Sequence, residues 1–479
     1  MSPVGRHWLQ KGRLGRILVY GSSRSIVEAM LGVRGVLLAS ILGPEAFGIW
    51  ALFRLTTIYG SFAGLGLLRG LELEVAKAWG DIQRRQAWGR TAAGCIFIVF
   101  GIMSGLTCIA SLFVEEAWQR QLLLAVAAGL LLERLAAYGL TFMRASGSLS
   151  HFALMELVQA SAQLVATVTL GYLFGLNGAL FGFSAACLVG LLVLPGRVPL
   201  RPELHLSRLK SMLAVGLPLS LNSLLAAMLA TVDRLVVAAW LGLEALGQYA
   251  FAVSVASIGG AAALVVQTVV FPDMYRRLER EGAQNITREH LERTIRPFVL
   301  ILAPSVGAVA LVLGLVVTLV LPRYQAAVQP AAVFVFTGIA QGVVSLAVMA
   351  VVAAGRQRFL PLFTVAALVV NALLATGTLA LGFGMVGLAT GAVVARVCYA
   401  GGIVLLIARG TGARPLATAF AILWPIPWCA GASFVIFSLV SPRDFASCGI
   451  ALVGYLVAVS PVLITLARAL CPPRPSSLT

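Results

Sequence analysis

Leu42-Gly-Pro-Glu-Ala-Phe-Gly48 and Leu241-Gly-Leu-Glu-Ala-Leu-Gly247 carry nearly the same text in the two halves of the chain. Each copy joins one long apolar segment to the next, and Ala51 and Ala250 keep the register just beyond it. A second marker consists of two glycine triplets with equal spacing: Gly175, Gly178 and Gly182, then Gly384, Gly387 and Gly391. The two markers together predict an internal duplication.

The composition places the duplicated units in a membrane. Of 479 residues, 60% are hydrophobic and 11% charged, and the mean hydropathy is +0.96. In lipid only helices and closed barrels satisfy their backbone hydrogen bonds, and runs that are apolar at every position favour helices. We predict about 14 membrane helices from runs of about 20 apolar residues, at 17–41, 47–68, 92–114, 122–142, 152–174, 178–195, 212–241, 247–270, 298–321, 331–354, 359–381, 385–408, 417–439 and 445–466.

The repeat markers give the order of these helices. We predict an all-α integral membrane protein with two parallel six-helix repeats and two extra helices at the C-terminus. The predicted lobes are residues 1–210 and 211–410, and residues 411–479 hold the extra helices with a cytoplasmic tail. Duplicated lobes of this kind are typical of transporters that work by alternating access.

The distribution of the net charge of +17 gives the orientation. One alternating set of loops carries nearly all lysines and arginines, and the other holds only Arg120, Arg323 and Arg443. This positive-inside pattern predicts that both termini are cytoplasmic. The charge is thereby explained by topology, and nucleic-acid binding is not expected.

Several segments resemble one family. These are Gly216-Leu-Pro-Leu-Ser-Leu, Val232-Asp-Arg-Leu, Phe271-Pro-Asp, the two repeat stretches and Gly64-Leu-Gly66. They are similar to the Wzx-like polysaccharide flippases of the multidrug/oligosaccharidyl-lipid/polysaccharide superfamily. The resemblance implies paired lobes, residence in the bacterial inner membrane, and flipping of a polyprenyl-diphosphate-linked glycan to the outer leaflet for surface polysaccharide biosynthesis. It also implies contact with membrane lipids, polysaccharide polymerase and export machinery.

Ionisable residues inside the predicted spans are the candidate site, since charges at bilayer depth are costly unless they are paired or face water. Arginine suits a diphosphate because its planar fork donates two parallel hydrogen bonds. The candidates for substrate binding are Arg24, Arg34, Arg54, Arg234 and Arg396. The candidates for coupling to a proton or sodium gradient are Glu28, Glu133, Glu156 and Asp233. A purely structural interpretation stays open, since Arg24 and Glu28 are four residues apart and can neutralise each other.

Other functions are weighed against flipping of a glycan. A peptidoglycan-precursor flippase needs a basic cavity too, whereas a drug/cation antiporter calls for an acidic or aromatic one. A membrane glycan polymerase or glycosyltransferase places catalytic groups on sizeable outer loops, and the outer loops here are a few residues long. Enzyme activity is therefore not expected. The chain has no phosphate-binding loop and no His/Cys cluster, so neither a cofactor nor a metal is predicted.

Overall fold

The fold was obtained from a computed structural model that describes residues 3–256, 290–353, 356–409, 414–440 and 444–470, with side chains from residue 26 onward except at positions 349, 353, 357 and 470. The chain divides into two compact units, Met1–Thr231 and Val232–Thr479. The boundary falls within one helix, Leu206–Trp240. The lobe boundaries that the sequence predicts, at residues 210 and 410, stay a prediction.

Unit 1 is built from long helices that pack against each other in sequence order. The helix α3 packs on α4, α4 on α5, and α5 on α1, with the short α2 lying between α3 and α4. The helices are α1 (Pro3–Gly60), α2 (Leu67–Lys77), α3 (Ile82–Ser111), α4 (Ala117–Ala145), α5 (Leu149–Leu192) and α6 (Leu206–Trp240).

The first helix and the fifth are each interrupted at a glycine of the repeat. At 58 residues, an unbroken α1 would be far longer than the bilayer is thick. Gly43 breaks it with φ 74° and ψ 171°, and Pro44 suits the first turn of the next helix. Gly175 breaks α5 in the same way, with φ 60° and ψ −141°. Each of these long elements is therefore two membrane helices joined at a tight turn.

Unit 2 repeats these backbone features at the matching glycines. Gly242 has a positive φ of 84°, and its counterpart Gly43 has a φ of 74°. Gly384 has a positive φ of 56°, and its counterpart Gly175 has a φ of 60°. Its helices are α7 (Arg296–Val320), α8 (Gln325–Phe334), α9 (Phe336–Ala353), α10 (Leu360–Ala380), α11 (Gly384–Ala408), α12 (Pro415–Leu423), α13 (Pro425–Val440), α14 (Phe445–Ala458) and α15 (Ser460–Leu470).

The predicted all-α membrane fold is confirmed. In the part of the chain that the structure describes, 10 helices are long and apolar enough to cross a membrane, or up to 11 when the bent pair α14–α15 is taken as one span. Two of these, α1 and α5, each hold two predicted runs. The run 247–270 and the Phe271-Pro-Asp segment lie largely outside the described residues.

The crossing of α2 and α6 explains two of the family-like segments. The backbones approach so closely that a Cβ on Gly66 or Gly216 would meet the carbonyl oxygen of the other, and a Cβ on Gly70 would meet that of Met212. Gly66 also has φ 82°, a conformation that L side chains rarely adopt. Glycine at these positions is required by close contact between the helices.

We expect Gly70→Ala to destabilise unit 1, although alanine is the better helix former by about 1 kcal/mol. The added methyl meets the backbone of Met212, which cannot move aside as a flexible side chain can, so we expect a net loss of about 1–3 kcal/mol. Thermal unfolding in detergent measures this loss. Gly101→Ala in α3 is the control, because nothing lies within 4 Å of a Cβ there. Equal unfolding temperatures for both variants would contradict the expectation.

Candidate functional site

Arg34 is one of the predicted arginines in unit 1, and it is buried, with only 7% of its surface exposed. It donates a 2.7 Å hydrogen bond to Oε1 of Gln163 on α5, and its guanidinium lies 5.6 Å from the ring centre of Trp50. The charged side chains that affect its electrostatics are Arg54 and Glu133. Arg34 is thus held by a polar amide and an aromatic face, beside other charged groups.

We give the name deep arginine cluster to one group of neighbouring side chains, Arg34, Arg54, Glu133 and Arg134. A carboxylate oxygen of Glu133 lies 3.7 Å from Arg54 and 3.5 Å from Arg134. Arg54 also lies 4.5 Å above the ring of Phe183. The side chains of Arg54, Glu133 and Arg134 are 25%, 17% and 18% exposed. The cluster therefore holds three guanidinium groups and one carboxylate, and all of them except the buried Arg34 are partly accessible.

A cavity of about 300 Å³ adjoins the cluster, and we call it the Glu72 pocket. Glu72 accepts a 3.0 Å hydrogen bond from Arg144 and a longer one of 3.5 Å from Arg69. Ser61, Ser220 and Ser223 add hydroxyl groups to the lining. This combination of guanidinium and hydroxyl donors is suited to an anion with several oxygen atoms.

Arg134 connects the two groups, because it pairs with Glu133 and also lines the Glu72 pocket. Together the deep cluster and the pocket contain five arginines, and two carboxylates pair with them. Guanidinium groups stay protonated at any physiological pH. Unit 1 thus presents an excess of fixed positive charge within an apolar lobe.

Unit 2 has a buried cluster around Asp233, whose side chain is fully buried. Its carboxylate accepts hydrogen bonds of 2.9 Å from the hydroxyl of Tyr249 and from the backbone N–H of Arg234. Arg396 and Arg234 lie close enough to Tyr249 to affect its electrostatics. Arg396 is 7% exposed and its guanidinium lies 5.2 Å from the ring centre of Phe334.

The buried clusters of the two units occupy equivalent positions of the repeat. The register that aligns Leu42 with Leu241 also aligns Arg34 with Asp233 and Trp50 with Tyr249. The register of the glycine triplets aligns Cys187, which is close to Arg34, with Arg396. The duplication thus keeps three equivalent positions, of which one is aromatic in both units and two differ in charge between the units.

The predicted residues are only partly brought together. Arg34, Arg54 and Glu133 meet in unit 1, and Asp233, Arg234 and Arg396 meet in unit 2. Glu156 on α5 is buried at 9% exposure, and Glu28 is half-buried. The side chain of Arg24 lies outside the described residues. All nine remain candidates for substrate binding or coupling.

The Glu72 pocket was missed by the sequence reasoning. In the sequence, Arg69 and Arg144 fall among the basic loop residues of the positive-inside pattern, and Arg134 is not among the predicted site residues. One signal was available, since a helix as short as α2 with alternating Leu and Glu is unlike the membrane spans around it. The pairing of Glu72 with Arg144 across 72 residues of sequence could not be found without the fold.

Comparison with solved structures supports the fold. The lipid II flippase MurJ in an inward closed conformation is 12% identical with a TM-score of 0.71, covering 94% of this chain and 99% of that chain. An inward-facing multidrug resistance MATE family transporter of the MOP superfamily is 15% identical with a TM-score of 0.66, covering 80% and 95%. The Vibrio cholerae MATE transporter VcmN is 16% identical with a TM-score of 0.56, covering 83% and 95%. At such identities the likeness concerns the fold alone.

Family membership comes from the sequence. No curated protein matches the chain at a significant level. The model of the family described as "Polysaccharide biosynthesis protein" matches residues 37–329, more than half of the chain. This range includes both copies of the repeated stretch, the α2–α6 crossing and all of the Glu72 pocket. The chain is therefore a multi-pass membrane protein of the polysaccharide biosynthesis family with the fold of the MOP superfamily transporters, as its resemblance to the Wzx-like exporters predicts.

Proposed function

We propose that this protein flips a polyprenyl-diphosphate-linked oligosaccharide from the cytoplasmic to the outer leaflet by alternating access. The observation that carries the proposal is the continuity of charge in unit 1, where Arg134 joins the deep arginine cluster to the Glu72 pocket. The family supports a role in polysaccharide biosynthesis, and the fold is that of transporters. On this proposal the protein translocates its substrate unchanged and is not an enzyme.

The chemistry of the cluster matches the diphosphate part of such a substrate. A diphosphate is anionic, and arginine binds it with parallel charge-assisted hydrogen bonds. Glu72 already accepts a hydrogen bond from Arg144 as a phosphate oxygen would, and Glu133 forms an ion pair with Arg54 at 3.7 Å. In a membrane lobe such charges are costly unless they are paired, serve a ligand or face water, and here five arginines share two carboxylates. The arginines therefore favour an anionic head group over a cationic drug.

A peptidoglycan lipid-precursor flippase is the second candidate. A basic site does not distinguish one lipid-linked anionic head group from another. The fold of the lipid II flippase agrees with that of this chain over 94% of its length. The family model favours a polysaccharide unit as the cargo.

Energy for transport is proposed to come from a proton or sodium gradient, with no bound cofactor. Asp233 is the carboxylate best placed for this, because it is fully buried and hydrogen-bonded by Tyr249. Loss of charge on one buried member of such a cluster changes the balance with nearby arginines. The same reasoning applies to Glu133 in unit 1. Protonation of its carboxylate would free Arg54 and Arg134 to bind the substrate.

The proposed location is the bacterial inner membrane with both termini in the cytoplasm. The Glu72 pocket then lies toward the cytoplasmic ends of the helices, because Arg69 and Arg144 belong to the basic set of loops. A substrate made in the cytoplasm would reach this pocket before the deep arginine cluster. Polysaccharide polymerase and export machinery would act on the product after flipping.

Deletion of the gene tests the proposal directly. We expect lipid-linked glycan to accumulate where cytoplasmic enzymes reach it and outer-leaflet probes do not, and expect surface polysaccharide to disappear. Restoring the wild-type gene is the control. Normal surface polysaccharide together with sensitivity to cationic drugs would reject glycan flipping and favour drug export. Accumulation of peptidoglycan precursor instead would establish the second candidate.

A further inference from the structure

A second basic cavity lies in unit 1 apart from the Glu72 pocket, and we call it the Arg85 pocket. Its volume is about 580 Å³, within the range of small-molecule sites. The beginning of α3, the α4–α5 turn and the segment after α5 form its walls. Arg85, Arg197 and His151 line it together with Ser146 and Ser148. Among the residues that the structure describes, no Asp or Glu side chain lines this pocket.

The guanidinium of Arg85 is incompletely satisfied. It donates one long hydrogen bond of 3.5 Å to the carbonyl oxygen of Ser146. Its Nε is buried and has no hydrogen-bond partner among the described residues. A buried charged donor without an acceptor is costly, so the pocket is suited to receive an anionic oxygen at this point. In the Glu72 pocket, by contrast, the carboxylate of Glu72 already pairs with the guanidinium of Arg144.

The aromatic and apolar side chains beside this pocket are of the kind expected at the level of the membrane surface. Trp79 is 70% exposed, and its ring lies against the α4–α5 turn at Gly147. Tryptophan at such a position is typical of the interface between lipid and water. Ile82 lines the pocket and is 63% exposed, so the mouth is partly apolar. Phe142 and Met143 form an apolar part of the lining.

We propose that the Arg85 pocket binds the phosphate head group of an anionic phospholipid, with Arg85 and Arg197 on the phosphate and the acyl chains along the exposed apolar surface. Basic pockets between membrane helices on the side of the basic loops are suited to anionic lipid head groups. The site is separate from the proposed path of the glycan, because none of its lining residues lines the Glu72 pocket. Its lipid would hold the α4–α5 turn against α3.

Native mass spectrometry of the purified protein with added phosphatidylglycerol or phosphatidylcholine tests the site. The variant Arg85→Gln/Arg197→Gln is expected to bind phosphatidylglycerol about 20-fold more weakly than the wild type. The matched control, Arg84→Gln/Arg201→Gln, removes the same charge from exposed side chains outside the pocket, and because solvent screens such charges its affinity should stay within about twofold. Phosphatidylcholine binding should be weak and equal in all three proteins.

Three outcomes would overturn the proposal. Equal affinity in both double variants would mean that general surface charge, and not the pocket, attracts the lipid. Selective binding of phosphatidylcholine would exclude recognition of an anionic head group. Displacement of the lipid by inorganic phosphate at an equal concentration would assign the site to a soluble anion. If the double variant fails to fold, Arg197→Gln alone carries the test, because Arg197 is exposed.

Discussion

Replacing Arg134 with glutamine is expected to reduce transport of lipid-linked glycan about 100-fold, with folded protein near its normal level. Arg134 is the one residue shared by the deep arginine cluster and the Glu72 pocket among the residues described. Losing two charge-assisted hydrogen bonds to phosphate costs about 3 kcal/mol, which is a factor of about 100. Glu133 keeps Arg54 at 3.7 Å, so the variant leaves no carboxylate unpaired there.

The measurement is the export of radiolabelled glycan by cells, or flipping in vesicles, normalised to protein amount. Arg134→Lys should retain intermediate activity, since lysine keeps the charge but not the planar fork. Arg120→Gln is the matched control on the same helix, because Arg120 is exposed and donates only to the carbonyl oxygen of Val114 at 3.2 Å. Full transport by Arg134→Gln would remove this residue from the substrate path and break the proposed continuity of charge.

Replacing Glu72 with glutamine is expected to tighten binding of a short polyprenyl diphosphate about tenfold while slowing transport. The carboxylate pairs with Arg144 and Arg69, so on the proposed function it would compete with the diphosphate for them. Opposite charges about 4 Å apart near a protein surface interact by about 4 kcal/mol before screening. The Arg144 and Glu72 side chains are 32% and 28% exposed, so solvent reduces the effect to about 1–2 kcal/mol, or about tenfold.

Calorimetric titration of the purified protein measures the affinity, and the flipping assay measures the rate. Transport should slow because a substrate that binds more tightly is released more slowly. Glu74→Gln is the control, since Glu74 is on the same helix and pairs with Lys77 at 2.8 Å outside the pocket. An unchanged or weaker affinity in Glu72→Gln would show that Glu72 does not compete with the anion.

The membrane fold could be predicted because its signals are local. Predicted and observed helices agree closely, as in 359–381 against Leu360–Ala380 and 385–408 against Gly384–Ala408. Gly43 and Gly175 were recognised as repeat markers, and the structure shows why they recur. Each permits a positive φ at a turn between membrane helices. The apolar length of a span and the need for glycine at such a turn can both be read from adjacent residues.

The candidate site was only partly predictable, because ionisable residues in spans can be found from sequence but their partners cannot. Arg34 was found by its position in an apolar run, whereas its partner Gln163 is 129 residues away. The role of Arg134 as the connection to the Glu72 pocket was missed for the same reason. An α-helix that is apolar on all sides gives no sequence signal for which face packs inward.

The sequence by itself thus determined the helical membrane character, the duplication and the pool of buried charges. It also determined that arginine outnumbers acid in that pool, since composition needs no coordinates. Only the tertiary structure decided that Arg134 belongs both to the deep arginine cluster and to the Glu72 pocket. Only the tertiary structure decided, likewise, that Glu72 pairs with Arg144. The physical reason is that an ion pair depends on the rotation and depth of two helices, which are set by packing between distant segments.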